Sequence, residues 1–421
     1  MKNHYQVICL IILLPVLFSC NVLSQILPTS KSMEETPSPS VTIPAIPPTA
    51  TIRPSLPCPI PAGNSGLFHS SSVEELPAEI LQYLNAGGNL VSLLSSLEES
   101  GTVPIDSPGL VEKDFTGDGF YDIALTLIDP EPEFILTQGT LILNQCQGDH
   151  YEMAFQSPEL MDWGVPTLFS SDDLNGDSIS DLLVGRQSCG AHTCFIRLEA
   201  LIWNGETLEN RLQGTSDDMP GPTIEVYSDT NEILVTAEGI GSVGAGPFRR
   251  FIRRWTWDTE AGAFLSSPDT FLPSNYRIHV LHDADQAAQD RNYDRAIELY
   301  TLVIEDDELL DYIDPPTERA QLGAYASFRL MLVYLLLEEF EAAEAAHASI
   351  MATYPADNPA SDFAQMADAF WTEYQSSSDL GSACLAAQTY AISHQETIID
   401  KLYYGYANPS YEAADICPFS E

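Results

Sequence analysis

Basic side chains are scarce in this chain. Its 421 residues carry 17 Lys and Arg against 61 Asp and Glu, a formal charge of −44. A surface of that sign repels phosphate, which excludes nucleic acid as a partner. It repels anionic lipid headgroups in the same way. Long apolar runs are missing too: beyond Phe18 no stretch has the length and apolarity of a transmembrane helix. The zinc-protease pattern HExxH does not occur, nor does the Gly-x-Ser-x-Gly elbow of serine hydrolases. The expectation is a protein that binds and does not catalyse; a hydrolase site assembled from scattered acids is the reading it displaces. The apolar fraction of 44% is ordinary, so the chain can build proper cores.

At the N-terminus Lys2 and His4 precede an apolar stretch from Val7 to Phe18. That length suits a signal-peptide core and is too short to span a bilayer. It ends in Leu17, Phe18, Ser19 and Cys20, which resembles a bacterial lipobox, although Phe18 is bulkier than the pattern prefers. The resemblance implies a lipoprotein signal peptide over 1–20, lipidation of Cys20, and export to the outer face of the bacterial cell membrane. The lipid would be the membrane contact; a plain secretory signal is the alternative. Residues 21–62 hold ten prolines, from Pro28 to Pro61. Proline fixes φ and removes a donor, so this segment reads as an extended, semi-rigid stalk. Six cysteines follow Cys20, an even number that in an exported chain suggests disulfides with fifteen possible connectivities. Proximity suggests Cys58 with Cys146, Cys189 with Cys194, and Cys384 with Cys417.

The folded part reads as multidomain β plus α. Residues 63–103 suggest a short helical hairpin: Pro77 suits a first turn, and Ile80, Leu81 and Leu84 share a face. Gly87 and Gly88 end that helix, Asn89 caps the next, and Gly101 stops it. From 104 to 273 the texture changes to short β-type runs. Asp122–Leu127, Asp181–Arg186 and Glu232–Ala237 each read as a strand, spaced by 59 and 51 residues. Roughly twenty residues after each comes a strand-and-turn pattern, at Leu141–Gly148, Leu201–Gly205 and Trp255–Gly262.

Two acidic loops carry the strongest chemical signal. One runs Asp114, Thr116, Asp118, Phe120, Asp122; the other Asp173, Asn175, Asp177, Ile179, Asp181. Oxygen side chains at loop positions 1, 3, 5 and 9, with a main-chain carbonyl from Phe120 or Ile179 at position 7, converge when such a loop curls. Hard Ca²⁺ wants six to eight oxygens of this kind. An EF-hand would need Glu at position 12, where Leu125 and Val184 stand, and a helix where strands are expected. A solvated turn with incidental acids is the plainer alternative. The stretches Asp118–Leu125 and Asn175–Gly185 resemble the FG-GAP or VCBS family, whose calcium loops precede strands in propeller blades. Over about 170 residues the resemblance implies an antiparallel β-repeat domain, propeller-like, with structural Ca²⁺ at two sites. With about three units in place of four to eight blades it is expected to be an incomplete or divergent propeller, or a sandwich-like relative. Two departures stand out: Ser178 replaces the usual Gly, and the third copy near Asp229 has lost its loop.

From 274 to 421 the pattern turns helical. Ala284, Ala287, Tyr293, Ala296, Tyr300 and Val303 stand where paired helices want small and aromatic residues. Met331, Tyr334, Phe340, Ala343, His347, Ile350 and Pro355 repeat the layout, and Trp371, Tyr374, Leu380, Ala383 and Ala387 repeat it more weakly. These positions resemble tetratricopeptide (TPR-like) repeats. Spacings of 47 and 40 residues between key alanines exceed the standard 34, so loops such as Asp306–Pro316 carry insertions. The resemblance implies a protein or peptide partner; a glycan or cell-wall polymer gripped by the β domain is the alternative.

Weaker patterns have plainer readings. Cys189 and Cys194 around His192 could form a metal knuckle, but a local disulfide fits an exported chain better. Gly239, Gly241 and Gly244 match a dinucleotide fingerprint by letter, yet a strand-like run follows, so a flexible inter-strand loop is expected. Arg249, Arg250, Arg253 and Arg254 concentrate nearly a quarter of the basic residues. They are read as paired with neighbouring acids, or else as an anchor for an acidic partner or for the chain's own helical domain. His279 and His282 lack a partner acid in sequence and are read as part of a helix start.

Overall fold

The structure is a computed structural model, and it describes residues 55–61, 63, 68–70, 74–104, 108–130, 137–160 and 162–418. Two units separate, Met1–Ala50 and Thr51–Glu421, and every described residue lies in the second. The expected signal peptide, Cys20 and most of the stalk therefore lie outside the described residues. Among the described residues no helix is long and apolar enough to cross a membrane.

The first helices among the described residues form a hairpin, α1 (Leu76–Asn85) and α2 (Leu90–Ser100). Pro77 sits in the first turn of α1, where its missing N–H has no partner to lose. Asn89 Oδ1 accepts the Ser92 N–H at 3.0 Å, and Gly101 closes α2 in the left-handed region at φ 69°.

Three antiparallel meanders follow. The first is β1 (Leu110–Lys113), β2 (Asp122–Ile128), β3 (Gly139–Cys146) and β4 (Tyr151–Gln156). The second is β5 (Pro166–Ser170), β6 (Leu182–Cys189), β7 (Cys194–Trp203) and β8 (Leu208–Asn210). The third is β9 (Thr223–Tyr227), β10 (Glu232–Ala237), β11 (Phe251–Asp258) and β12 (Ala263–Ser266), with β13 (Thr270–Phe271) also pairing with β11. The strand pairs legible in the sequence are thus the middle of each sheet, β2–β3, β6–β7 and β10–β11. The outer strands are short and half-exposed, and only β9 alternates cleanly.

The sheets stack face to face. One face of the first, with Ile123, Leu125 and Ile142, shares a core with Leu76, Ile80, Leu93 and Leu97 of the hairpin. Its other face, with Ala124, Leu141 and Leu143, packs against Leu182, Val184 and Leu201 of the second. Leu183, Leu198 and Ala200 on the far side of that sheet meet Ile233, Val235 and Trp255 of the third. Strands covered on both faces need no polar alternation, which is why β2 after Asp122 is apolar on both faces except for the buried Thr126. Arg186 is buried between the first two sheets, its guanidinium donating to the carbonyls of Gly139, Gly164 and Pro158 and to Ser157 Oγ.

The helical part comprises α3 (Arg277–Gln289), α4 (Tyr293–Glu305), α5 (Pro315–Leu336), α6 (Phe340–Thr353), α7 (Ser361–Ser377), α8 (Leu380–Ser393) and the short α9 (Ala413–Ile416). Each of α3 to α8 packs on the next, and α5 also touches α3 and α7. Ala284, Ala296, Tyr300, Ala343, Ala383 and Ala387 are fully buried at these contacts, while Phe340 lies 55% exposed. Small residues at the crossings let the helices approach closely. Buried Arg277 closes the end of α4, its guanidinium donating to the carbonyls of Val303 and Asp306 and to Asp311.

Among the described residues three bridges are present, Cys58–Cys146, Cys189–Cys194 and Cys384–Cys417. The end of the expected stalk is docked, not extended into solvent. Leu56 forms two main-chain hydrogen bonds to the loop before β2, and Cys58 and Ile60 pack on the hairpin core. The reason is covalent as much as apolar, since Cys58 is bridged to β3.

Candidate functional site

The two acidic loops occupy the same station in successive sheets, joining the first strand to the second. Between β1 and β2, Asp114 Oδ1 accepts the Gly117 N–H at 2.7 Å and Oδ2 the Gly119 N–H at 2.9 Å. Asp118 accepts from Phe120 N at 2.8 Å. Between β5 and β6, Asp173 accepts from Gly176 N and Ser178 N at 2.7 and 2.8 Å, and Asp177 from Ile179 N at 2.8 Å. The chain curls the same way in both because carboxylates at positions 1 and 5 hold the amides that follow them. Position 6 lies in the left-handed region each time, at Gly119 (φ 91°) and at Ser178 (φ 72°). The third sheet has a tight turn at this station, from Tyr227 to Asn231.

The loops touch. Ser180 N donates to the Asp114 carbonyl at 3.1 Å, and Asn231 of the third turn reaches the Asn175 carbonyl at 3.3 Å. Gly117 faces Ile179 so closely that a Cβ would lie 2.6 Å from its Cδ1. The three stations therefore form a row along one end of the stack.

Position 9 is buried in both loops. Asp122 is fully covered; its Oδ2 accepts from Phe115 N and its Oδ1 from Cys146 N, each at 2.9 Å. Asp181 is 1% exposed; its Oδ2 accepts from Leu174 N at 2.9 Å, while Oδ1 meets no hydrogen-bond donor. Burial pushes Asp181 up to about 8, against the Leu174 and Asn175 N–H groups, with the charges of Asp177 and Asp173 adding to the rise. Burial likewise pushes Asp122 up to about 6, the Cys146 and Phe115 N–H groups opposing it and Asp118 adding to it. Asp118 is raised by burial and by Asp114.

Asp173 and Asp177 thus both bear on Asp181 electrostatically, with the Asn175 side chain 3.0 Å from Asp177. The donors are all oxygen, with one buried carboxylate oxygen lacking a partner, and this set fits a hard cation. Among the described residues, no group of three or more His, Cys, Asp or Glu side chains forms a metal centre unaided. A cation here would draw on the Asn175 amide and on main-chain carbonyls for the rest of its shell.

Three other sequence features take definite places. The four clustered arginines all pair internally: Arg250 with Glu238, Arg253 with Asp218 and Asp269, Arg254 with Glu232, and Arg249 with Asp283 of α3. The last joins the third sheet to the helices. The glycine-rich stretch expected to be flexible is a latch. The main-chain carbonyls of Gly244 and Ala245 accept from Tyr406 N and Ala407 N, and Asn408 Nδ2 donates to Ala245 and Pro247 carbonyls. Gly246 is required there, since a Cβ would lie 1.5 Å from the Tyr404 carbonyl oxygen. His279 does more than begin a helix: buried, it bridges Ser274 Oγ and the Pro247 carbonyl.

Sequence reasoning missed one cluster altogether. Asp285 on α3 accepts from Tyr300 and Tyr411 hydroxyls at 2.5 and 2.7 Å and lies 3.3 Å from the Arg329 guanidinium. Arg329 in turn donates to the Asp415 carbonyl at 2.7 Å. The segment Tyr411–Cys417 therefore covers faces of α3 and α5 and is tied to α8 through Cys384. The sequence hint was Arg329, the one charged residue between Gly323 and Leu337. Comparison with family models, with curated proteins and with solved structures finds no match.

Proposed function

We propose that this chain is an extracytoplasmic binding or scaffold protein without a catalytic role of its own, anchored through Cys20 at the outer face of a bacterial cell membrane. Its β-repeat part is stiffened by structural Ca²⁺, and its TPR-like helical part is the platform for a protein or peptide partner. The observation that carries this reading is the recurrence of the acidic loop at one station of two successive sheets, immediately before a buried strand. The likeness to FG-GAP or VCBS repeats supports it from sequence. An ion there would neutralise clustered carboxylates and fix the strand entry, much as a cross-link does.

On the helical side, Tyr411–Cys417 already covers faces of α3 and α5. An open groove of about 560 Å³ remains between α7 and α8, lined by Glu373, Leu385, Ala386 and Tyr390. Leu385 is 63% exposed and gives a peptide side chain an apolar contact.

The test is thermal melting of the purified chain with CaCl₂ and with EGTA. Extracellular calcium modules bind at about 10⁻⁴ to 10⁻³ M, and saturation at about 100 times Kd stabilises by about 2.7 kcal/mol. Calcium is expected to raise the melting temperature, and Asp177→Ala to reduce that rise. Identical melting in calcium and EGTA overturns the reading.

A further inference from the structure

The two acidic loops are near copies in sequence, yet their ninth residues are held differently. Asp122 bridges two main-chain donors, Phe115 N at the start of its own loop and Cys146 N at the end of β3. Those bonds lock loop to sheet without any ion. The first loop is held from outside as well: Ser55 Oγ donates to Asp114 Oδ2 at 3.3 Å, Leu56 pairs with Gly119 and Tyr121, and Cys58 is bridged to Cys146.

The second loop lacks those supports. Asp181 bonds Leu174 N through Oδ2, the counterpart of Asp122 to Phe115, with the Asn175 N–H of its own loop also favouring the charged form, but no donor from the neighbouring strand takes the place of Cys146 N. Its Oδ1 is left buried without a donor, inside a residue 1% exposed whose charged neighbours are Asp173 and Asp177. A buried carboxylate oxygen without a partner is costly, and a cation is the partner its two acidic neighbours favour. Position 3 differs in the same sense. Asn175 carries an amide oxygen, which accepts the Asp177 N–H at 2.9 Å and keeps a second lone pair, a stronger ligand for a hard ion than the Thr116 hydroxyl of the first loop.

We infer that the loop Asp173–Asp181 is the principal cation site of this chain, with Asp181 Oδ1 as its deciding ligand, and that the loop Asp114–Asp122 is closed by protein donors and takes a cation more weakly. The inference rests on the calcium reading above and goes beyond it in making two similar loops unequal. The row of contacts gives the pair an order: the second loop, once filled, presents Ser180 N and Ile179 in fixed positions to the first.

The test is calorimetric titration of the chelator-stripped full chain with CaCl₂, alongside Asp181→Asn and Asp118→Asn. One dominant event of unit stoichiometry is expected, weakened about tenfold or more by Asp181→Asn. Asp118→Asn is expected to leave it within about twofold, because the sites share no ligand. Melting provides a second readout: Asp181→Asn should abolish most of the calcium-dependent rise in Tm while remaining folded in EGTA. Two equal events, or loss of the dominant event in Asp118→Asn, overturn the inequality and leave the calcium reading standing. The absence of binding heat together with the absence of a melting shift in the wild type removes both.

Discussion

Replacing Asp285 by Ala should destabilise the helical part by about 3–5 kcal/mol, the loss seen when one member of a buried ion pair is removed. The size follows from where the groups lie. Arg329 is 1% exposed and Asp285 6%, so the guanidinium left behind has no access to water. It would keep its bonds to the Tyr325 hydroxyl and the Asp415 carbonyl, but neither carries the opposite charge. Two hydroxyls, of Tyr300 and Tyr411, would lose their acceptor as well. Each buried orphan of that kind costs about 1–3 kcal/mol before relaxation, so the total cannot be small. Exposed Arg254–Glu232 offers the contrast: such a pair is worth about 0–1 kcal/mol. Thermal melting is the assay, and a loss near 4 kcal/mol corresponds to a fall of roughly 10 °C for a domain of this size. The double variant Asp285→Ala with Arg329→Met should recover more than half of the loss, because the stranded charge leaves with its partner. A single variant that melts within about 2 °C of the wild type, or a double variant worse than the single, would refute the argument.

Two further outcomes are expected. Ser178 occupies the left-handed region at φ 72° where the first loop has Gly119, so Ser178→Gly should stabilise the chain by about 0.5–1 kcal/mol in chemical denaturation; a loss would mean that the Ser side chain itself supports the loop. Burial pushes His282 down to about 3, with His279 and Arg249 adding to the fall, whereas the unfolded chain protonates near 6.5. Between those values only the unfolded state binds the proton. The neutral ring's contribution is therefore complete above about pH 6.5 and is lost at about 1.4 kcal/mol per unit as pH falls. Asp122 and Asp181, raised in the fold, oppose this trend, so the wild type is compared with His282→Phe, whose stability should fall less steeply from pH 6.5 to 5. Equal slopes would show that His282 is not buried neutral.

What could be read from the residues divides by range. The β-then-α order, the middle strands of each sheet and the alanine-spaced helix pairs were legible because burial on a sheet or helix face imposes a local period. Asn89 and Gly101 marked a helix start and stop for the same local reason. The first and last strands of each meander were not legible, being short and half-covered. The acidic loops could be found by spacing, since Asx-type bonds act within five residues. Their unequal closure could not, because Cys146 N lies 24 residues from Asp122. The arginine cluster left pairing or partner binding open until the sheet register put acids beside each side chain.

By itself, the order of residues determined the composition of each segment, its charge, its local periodicity and the loops where carboxylates can gather, since these depend on neighbours a few positions apart. Only the tertiary structure decided which groups lose water. It stacked three sheets so that Asp122 and Asp181 are sealed at their edges, laid Tyr411–Cys417 over two helices, and turned a glycine-rich stretch into a latch. Desolvation is a property of the whole surrounding volume, and residues far apart in the chain supply that volume.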